Sequence, residues 1–495
     1  MSSPAKNPTA QASYESSRPD PTVTNYGMVV AAHEHATACG FFSLMAKHVS
    51  IKMKTVDYSP LDKLSTLWVS ILVGCKHTSD INTKLGAKEP ALAALFDLER
   101  FPDQSGVNRL LTALPESCVE QMRAFHLDLL VRNTRARLRR LRTKLARGHG
   151  RVLFVDFDQR GILAGGDGYE LASAGHFGAK RGRRGYKLSL AFIGGPIGEV
   201  LDEYLDPGKS SAGSRLGESL DTLERFCAAI KLPHDRVVVR GDALYGTPAI
   251  LGQIQERGFG FLIKGVSPQR AAGLAAGCAP EAFAEAAGSA PGRPRFVAEL
   301  GQQTLRGQKP KGGPAPEVTA RVVLVRWQEP GRRRTARAGA RQREREAERE
   351  PPPPRTCYSM LVTSLSAEQL PAARVPETYD DRATIERYFR DEDDALGAHS
   401  VRTHRHAGAA VFQWMVAITS NQLRWMRAKL LADTPLAHFG VGRLIGQVIT
   451  IAARIVCTGA RRRVIFSSAN PLSALLVAAL NAPVQLTLPL RSSSP

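Results

Sequence analysis

The sequence predicts an α/β fold, and three features of the chain lead to this prediction. Residues from about 25 to 150 carry helical periodicity without strand alternation. From 151 onward, short apolar runs of strand length are separated by amphipathic, helix-like stretches. After 379 the pattern is helical again, to about 480. We therefore expect an N-terminal helical domain, an α/β core and a helical C-terminal part.

The order of elements in the central part indicates the topology. The predicted elements are, in order, strands at 152–158, 186–192 and 198–204, a helix at about 213–230, a strand at 237–240, a helix at about 247–257 and a strand at 260–264. This is the order of a ribonuclease H-like α/β core. In that layout the ends of the first and fourth strands lie side by side.

The stretch 266–356 interrupts this core. It offers two predicted strands, 295–305 and 317–327, followed by a low-complexity run rich in arginine that ends in prolines 351–354. Strand pattern resumes at 357–363. We therefore expect a β-rich insertion with a low-complexity Arg/Pro loop. The expected organisation is a disordered tail at 1–24, a helical region at 25–150, the first part of the core at 151–265, the insertion at 266–356, the second part of the core with C-terminal helices at 357–480, and a loose tail at 481–495.

The charge of the chain indicates a polyanionic partner. Lys and Arg number 67 against 46 Asp and Glu, which gives a formal charge of +21. Between 132 and 151, nine basic residues, Arg139 and Arg140 among them, occur without one acid. A solvated helix face usually mixes the two signs. We therefore expect this run to contact phosphate, although a solvated face remains the alternative.

Cysteine usage and hydropathy predict a soluble cytoplasmic protein without a membrane partner. The seven cysteines are scattered and form no CxxC pair, which is typical of reduced thiols. The segment 1–24 lacks the apolar stretch of a signal peptide. The longest apolar stretches, 407–419 and 472–480, are shorter than the roughly 18 residues that a membrane-spanning helix needs.

Three acidic residues form the candidate site. Asp158 closes the first predicted strand, and Asp242 follows the fourth, at the strand ends where open α/β sheets place ligands. Glu386 lies in a predicted helix that begins near Tyr379. Two Asp and one Glu suffice for Mg²⁺, which keeps water and substrate oxygens as its other ligands. Such a site suits phosphoryl transfer, and the basic remainder of the chain suggests nucleic acid as the phosphate source.

The two aspartates have competing interpretations. Asp156 and Asp158 point to the same face of the strand, because side chains repeat every two residues. Either is a candidate for the first ligand, and the other would then support it or end the strand. Asp242 alternatively caps the helix that follows it.

Helical geometry places Glu386 among further candidate residues. At about 100° per residue, one stripe contains Tyr379, Arg382, Glu386, Phe389 and Asp393. Tyr379 and Arg382 are thus candidates for holding a phosphate or a base. The alternative is an ordinary amphipathic helix with Ile385 and Phe389 in the core.

A second basic patch at 180–187 precedes a strand close to the proposed site. Its candidate phosphate ligands are Arg183, Arg184 and Lys187, and glycines 182 and 185 allow close approach of the backbone. The alternative is a solvated hairpin.

These motifs resemble those of the bacterial insertion-sequence transposases of the Asp-Asp-Glu type, in the branch with a β-strand insertion before the Glu. The resemblance covers about 30–460 and lies in the segments 154–158, 180–187, 190–195, 207–208 and 239–245 and in the pattern Tyr379-x-x-Arg382-x-x-x-Glu386.

The resemblance implies a function and its partners. Asp158, Asp242 and Glu386 would bind two Mg²⁺ (Mn²⁺ is possible), and Tyr379 and Arg382 would contact the transposon end. The helical N-terminal region would recognise terminal inverted repeats. Cleavage would free a 3′ hydroxyl, which attacks target DNA. We accordingly expect double-stranded DNA as partner, a homodimer in the DNA complex, and a place at the bacterial nucleoid.

Two positions depart from the family pattern. Gln159-Arg160 follow the first Asp, where Ser or Thr is usual, and Asp393 stands where the family has Lys. An acid there would repel DNA phosphates, so Arg387 or Arg390 would have to supply the positive charge. The alternatives to a transposase are a catalytically inactive DNA-binding relic and a ribonuclease H-like nuclease without strand transfer.

Overall fold

The computed structural model describes residues 20–54, 57–146, 150–178, 182–309, 313–330, 353–458 and 461–481. Most of both predicted tails, the start of the 180–187 patch and most of the Arg/Pro loop lie outside these residues. The last residues of the predicted tail 1–24 do not continue as a tail, because Val23–Thr24 form strand β1.

The N-terminal region is helical, as predicted. Its helices are α1 (Met28–Cys39), α2 (Phe41–His48), α3 (Pro60–Leu72), α4 (Asp80–Lys84), α5 (Pro90–Ala93), α6 (Gln104–Ala113) and α7 (Ser117–Leu141). A capping box starts α3, with Pro60 as its first residue: Ser59 accepts a hydrogen bond from the Asp62 amide, and Asp62 accepts one from the Ser59 amide. Helix α7 ends at Leu141, and Thr143–Lys144 (β2) then pair with the next strand.

The described strands between 143 and 363 form one eleven-stranded sheet. After β2, its strands are β3 (Arg151–Leu163), β4 (Ser173–Ala174), β5 (Arg184–Ile193), β6 (Glu199–Pro207), β7 (Val237–Gly241), β8 (Gly260–Lys264), β9 (Ala284–Glu285), β10 (Arg295–Arg306), β11 (Glu317–Glu329) and β12 (Arg355–Thr363). The main path runs β4-β5-β3-β7-β8-β12-β11-β10-β9, with β6 on β5. The strands from the 266–356 stretch therefore extend the same sheet.

The sheet is mixed. Strands β3, β7 and β8 are parallel to one another, and β5, β6 and β12 pair antiparallel. Helices α8 (Leu216–Ile230) and α9 (Pro248–Glu256) connect the parallel strands and cover one face with Leu220, Leu223 and Leu251. Strand β7 reads Val-Val-Val because both of its faces are buried. Helix α10 (Pro268–Ala276) follows β8.

The C-terminal part covers the opposite face of the sheet. Helices α11 (Val375–Asp380) and α12 (Thr384–Asp391) are joined by a 3₁₀ turn, and a π-helical segment, Glu392–Leu396, continues α12. The long buried helix α13 (His406–Leu430) follows, and shorter elements are α14 (Val441–Arg443), the π-helical Leu444–Ile449 and α15 (Ser473–Asn481).

The prediction of helix throughout 379–480 is wrong at 453–466. Strands β13 (Ala453–Thr458) and β14 (Arg461–Phe466) pair there with β1 in a separate three-stranded sheet. Ala453, Ile455 and Phe466 are buried on its inner face, so the segment has the two-residue period of a strand. The fold is mixed α/β, with one large mixed sheet and N-terminal helices, and no described helix is long and apolar enough to cross a membrane.

Candidate active site

The register of β3 and β7 brings the two predicted aspartates together. These strands are parallel, and their last paired residues are Phe157 and Gly241. Asp158 and Asp242 are the next residue of each strand. The two carboxylates therefore meet at the carboxyl end of the parallel pairing, as the topology predicted.

Asp158 does not end its strand, which corrects the predicted boundary. Strand β3 continues to Leu163, because β5 remains paired with it from Val155 to Leu163. Gln159, Arg160 and Gly161 interrupt the apolar run, so the sequence pattern did not show that the strand continues. At Asp158 the pairing of β3 with the parallel strand β7 has ended, whereas its pairing with the antiparallel strand β5 continues. The Asp158 side chain is 16% exposed.

Asp242 caps a turn and also faces Asp158. Its Oδ1 accepts a hydrogen bond of 2.8 Å from the Leu244 amide at the start of a 3₁₀ turn, whereas helix α9, which Asp242 was an alternative candidate to cap, is capped by Thr247. This bond uses one of the two carboxylate oxygens. Burial, and then the negative charge of Asp158, raise the pKa of Asp242 above its ordinary value.

Tyr245 is a neighbour of the site to which the sequence assigned no role. Its side chain is buried and packs against Phe157 at 6.1 Å between ring centres. Burial, and the charges of Asp158 and Asp242, raise the pKa of its hydroxyl. Tyr245 lies three residues after Asp242 and is the last residue of the 3₁₀ turn that Asp242 caps, so this turn sets the position of its side chain.

Asp156 has a different environment from Asp158. It is fully buried, and Arg240 of the neighbouring strand donates to both of its oxygens, at 2.6 Å and 2.9 Å. Arg240 also donates to the Thr378 carbonyl at 2.6 Å, which joins the sheet to α11. Because Arg240 occupies both Asp156 oxygens, the geometry favours Asp158 as the candidate ligand.

Arg382 connects Asp158 with the Glu386 helix. Its Nη1 donates to Asp158 Oδ2 at 2.9 Å, and its Nη2 lies 3.8 Å from Glu386 Oε1. The guanidinium carbon is 5.9 Å from the centre of the Tyr379 ring. The predicted stripe therefore brings Tyr379, Arg382 and Glu386 together, although Arg382 is buried in an ion pair. Glu386 is 64% exposed, while Ile385 is buried as the amphipathic interpretation expects.

A cavity of about 270 Å³ lies beside Tyr379. Its lining includes Trp327 from β11, Lys264 at the end of β8 and Arg295 from β10. Arg295 also pairs with Asp380, at 2.5 Å, on the helix that carries Tyr379. Strands from the 266–356 stretch thus form part of the surface beside Tyr379.

With this geometry established, one comparison identifies the family. The model of the family Transposase DDE domain group 1 matches residues 22–487. The chain belongs to this family. No curated protein matched the chain. The family name fits the observed Asp158–Asp242 pair, and members of this transposase family generally use a divalent metal.

The carboxylate oxygens of this transposase are the kind of ligand that a hard divalent cation binds. In the part of the chain that the structure describes, no three His, Cys, Asp or Glu side chains are grouped closely enough to hold a metal ion. Asp158 and Asp242 nevertheless follow the last paired residues of adjacent strands. Burial is the main cause that raises the pKa of Asp242, and a smaller contribution comes from its repulsion by Asp158. A cation between them would relieve it, and carboxylate oxygens are the ligands that Mg²⁺ prefers. Arg382 bridges Asp158 to Glu386, the third candidate.

The described members of the second basic patch differ in exposure and in their contacts. Arg183 and Arg184 are exposed, and Arg184 donates to the Ala172 carbonyl at 2.8 Å. Lys187 donates to the His176 carbonyl at 2.7 Å and lies 5.1 Å from the centre of the Phe177 ring. Burial lowers the pKa of Lys187. Lys187 is paired with Gly161, three residues beyond Asp158, so its side chain leaves the opposite face of the sheet.

The two departures from the family pattern meet in space. Arg160 donates to Asp393 and, at 3.2 Å, to Glu392. The charge of Asp393 is therefore compensated from β3, which the expectation about Arg387 and Arg390 did not foresee. Both of those arginines are exposed. Arg139 and Arg140 lie within α7, and their side chains lie outside the described part of the structure.

Proposed function

We propose that this protein is an active DNA transposase of the bacterial insertion-sequence type. It would cut at the ends of its element and join the freed 3′ hydroxyl to target DNA. The observation that carries this proposal is the pair Asp158 and Asp242 directly after the last paired residues of β3 and β7, with the Glu386 helix held to Asp158 by Arg382.

The fold supports the same proposal. The order β3-β5-β6, α8, β7, α9, β8 is that of a ribonuclease H-like core. Strands β9–β11 come from the stretch before Glu386, as in the branch with a β-strand insertion, and they extend the core sheet.

Each residue has a chemical role in this proposal. Asp158, Asp242 and Glu386 would hold Mg²⁺ or Mn²⁺, which activates the attacking oxygen and stabilises the leaving oxygen of the phosphodiester. Tyr379 and Arg382 would contact the transposon end. Arg183, Arg184, Lys187, Arg139 and Arg140 would bind DNA phosphates, and the N-terminal helices would recognise the inverted repeats. We propose a homodimer on the paired ends.

Cleavage of end DNA by the full chain tests the proposal. The substrate is a duplex carrying the inverted repeat that brackets this reading frame, with Mg²⁺ or Mn²⁺ added. Asp242→Asn should lower the cleavage rate about a thousandfold or more, because a bound metal supplies several kcal/mol and each 1.36 kcal/mol is tenfold. The matched control is Asp235→Asn, an exposed aspartate seven residues earlier, which should cleave normally. Full cleavage by Asp242→Asn would contradict the proposal.

Two further assays separate the alternatives. A wild-type protein that shifts end DNA in a gel but never nicks it would support the inactive relic. A protein that nicks but does not join precleaved ends to target DNA would support a nuclease without strand transfer. Light scattering of the DNA complex tests the homodimer.

A further inference from the structure

Arg160 connects the strand of Asp158 to the helical segment of Glu386. It lies two residues after Asp158 in β3, so both side chains leave the same face of the sheet. Its Nη1 donates to Asp393, and its Nη2 donates to Glu392 Oε2 at 3.2 Å. Its guanidinium carbon lies 5.1 Å from the centre of the Phe389 ring. One side chain thus holds three residues on the carboxyl side of Glu386.

A second arginine makes the corresponding connection on the other side of Glu386. Arg382, four residues earlier, donates to Asp158 at 2.9 Å. The helical segment is therefore attached to β3 both before and after Glu386. The two attachments use neighbouring positions of one strand, Asp158 and Arg160, and have opposite polarity: the strand supplies the acid in the first and the base in the second.

The Glu386 segment needs such attachments. Helix α12 contains eight residues and passes directly into π-helical turns at Glu392–Leu396. A helix of this length has little stability of its own. The Glu386 side chain is 64% exposed and its nearest ionic contact, with Arg382, is 3.8 Å long. Its position is therefore set by what holds the backbone around it.

The environment of Arg160 makes its contacts strong. The Arg160 side chain is 11% exposed, and that of Glu392 is 1% exposed. Charge-assisted hydrogen bonds that are shielded from water are stronger than exposed ion pairs. Asp393 is more open, at 39%, so it completes the contact at the solvent edge.

We propose that Arg160 is a positioning residue for Glu386, which sets the distance between the third carboxylate and Asp158 by fixing Glu392 and Asp393 to β3. This inference rests on the proposed function, since it takes Glu386 as the third ligand. Arg160 itself touches neither metal nor DNA. Asp393, which looked unfavourable in the sequence, is the other half of the contact.

Exchange of the two charges tests the proposal. The variants are Arg160→Asp, Asp393→Arg and the double exchange, with Arg160→Lys as the conservative change. Each single reversal places like charges together and should lower the single-turnover cleavage rate at saturating DNA about 100-fold, the loss expected for a displacement near 1 Å. The lower rate should persist at saturating DNA even where the reversed charge alters DNA affinity. The double exchange should recover part of the rate, because it restores the contact between positions 160 and 393 but leaves Glu392 without its arginine. Arg160→Lys should lie between the wild type and the reversals.

A matched exchange controls for the general effect of reversing an ion pair in this sheet. Arg306 and Glu317 pair at 2.9 Å between β10 and β11, and both are exposed. Arg306→Glu combined with Glu317→Arg, and each single change, should leave the cleavage rate at the wild-type value. A loss there equal to that of Arg160→Asp would overturn the assignment of a specific role to Arg160.

Hydrogen exchange of the backbone amides provides a measurement that does not depend on activity. Each single reversal should increase exchange in 384–396 about tenfold or more while the amides of β7 stay protected, and the double exchange should partly reverse this. Hydrogen exchange still tests the positioning role if the wild-type protein never cleaves DNA. That outcome would refute only the proposed function. Unchanged exchange, or a loss of DNA affinity with an unchanged saturated rate, would overturn the positioning role. If Arg160→Asp fails to fold, the double exchange and Arg160→Lys carry the test.

Discussion

Asp156 and Asp158 lie two residues apart on the same face of β3, but the charges that surround the two carboxylates differ. Asp156 is fully buried, and Arg240 donates to both of its oxygens. Asp158 is partly open and is repelled by a second carboxylate, Asp242; its oxygens accept hydrogen bonds from the Arg382 guanidinium and from the Gln159 amide, so only one of its donors is a cation. The first pair has matched charges, whereas the second group has more carboxylate than cation.

This difference agrees with the separate roles that we propose for the two acids. A buried carboxylate is stable when a fixed cation donates hydrogen bonds to its oxygens. The Asp156–Arg240 pair is of this kind, and it holds the strands and α11 in place. A carboxylate that shares its cation with other acids has capacity for a further positive charge. The Asp156 pair thus stabilises the frame, and the Asp158 group is the one to which we assign the metal in the proposed function.

The largest expected effect comes from breaking the matched pair. Asp156→Ala leaves Arg240 buried without its partner and should lower the free energy of unfolding by about 3–5 kcal/mol. Asp158→Ala should cost much less, because Arg382 stays near Glu386 and Asp242 loses a like-charged neighbour. Urea unfolding followed by circular dichroism, without metal, compares the two. Equal losses would remove the distinction between them.

A second change disturbs the same pair without removing a charge. A Cβ atom at Gly194 would lie 2.3 Å from Asp156 Oδ2 and 2.7 Å from Arg240 Nη2. Gly194→Ala should therefore lower the free energy of unfolding by about 1–3 kcal/mol through overpacking. The control is Gly252→Ala in α9, where a Cβ meets no atom within 4 Å. It should be neutral or stabilising by up to about 1 kcal/mol.

Another buried carboxylate, Glu392, sharpens the comparison because it shares its arginine with Asp393. Burial, with a contribution from Asp393, raises the pKa of Glu392 from 4.5 to about 8. The folded state then holds this proton more tightly than the unfolded state, so the free energy of unfolding should fall as pH rises from 4.5 to 8. Glu392→Gln should make this fall smaller, as measured by urea unfolding across that range. An unchanged slope would contradict the interpretation.

The smallest expected effect concerns the cations of the 180–187 patch. Arg183 is exposed, whereas Lys187 already donates to the His176 carbonyl. Arg183→Ala should weaken DNA binding for all sequences and make the salt dependence shallower by about one phosphate contact. Lys187→Ala should have less effect. Arg306→Ala, far along the sheet, is the control, and fluorescence anisotropy at several salt concentrations measures all three.

Several features of the fold and site follow from local pattern. Strands β7 and β8, and helices α8 and α9 between and before them, were predicted because apolar period and length are local properties. The contact of Tyr379, Arg382 and Glu386 was predicted for the same reason, since helical spacing fixes which residues share a face. The hairpin at 453–466 was missed because its short apolar run fits either a helix or a strand until its pairing partner is known.

The sequence alone predicted that Asp158 and Asp242 would lie side by side on neighbouring strands and that a Glu-bearing helix would accompany them, although it placed the end of β3 five residues before Leu163. Only the tertiary structure decided which acids are already neutralised. Arg240 belongs to Asp156, and Arg160 belongs to Glu392 and Asp393, although these residues are far apart in the chain. Ionic partners are set by strand register and by the packing of a distant helix, and residue order carries no direct record of either.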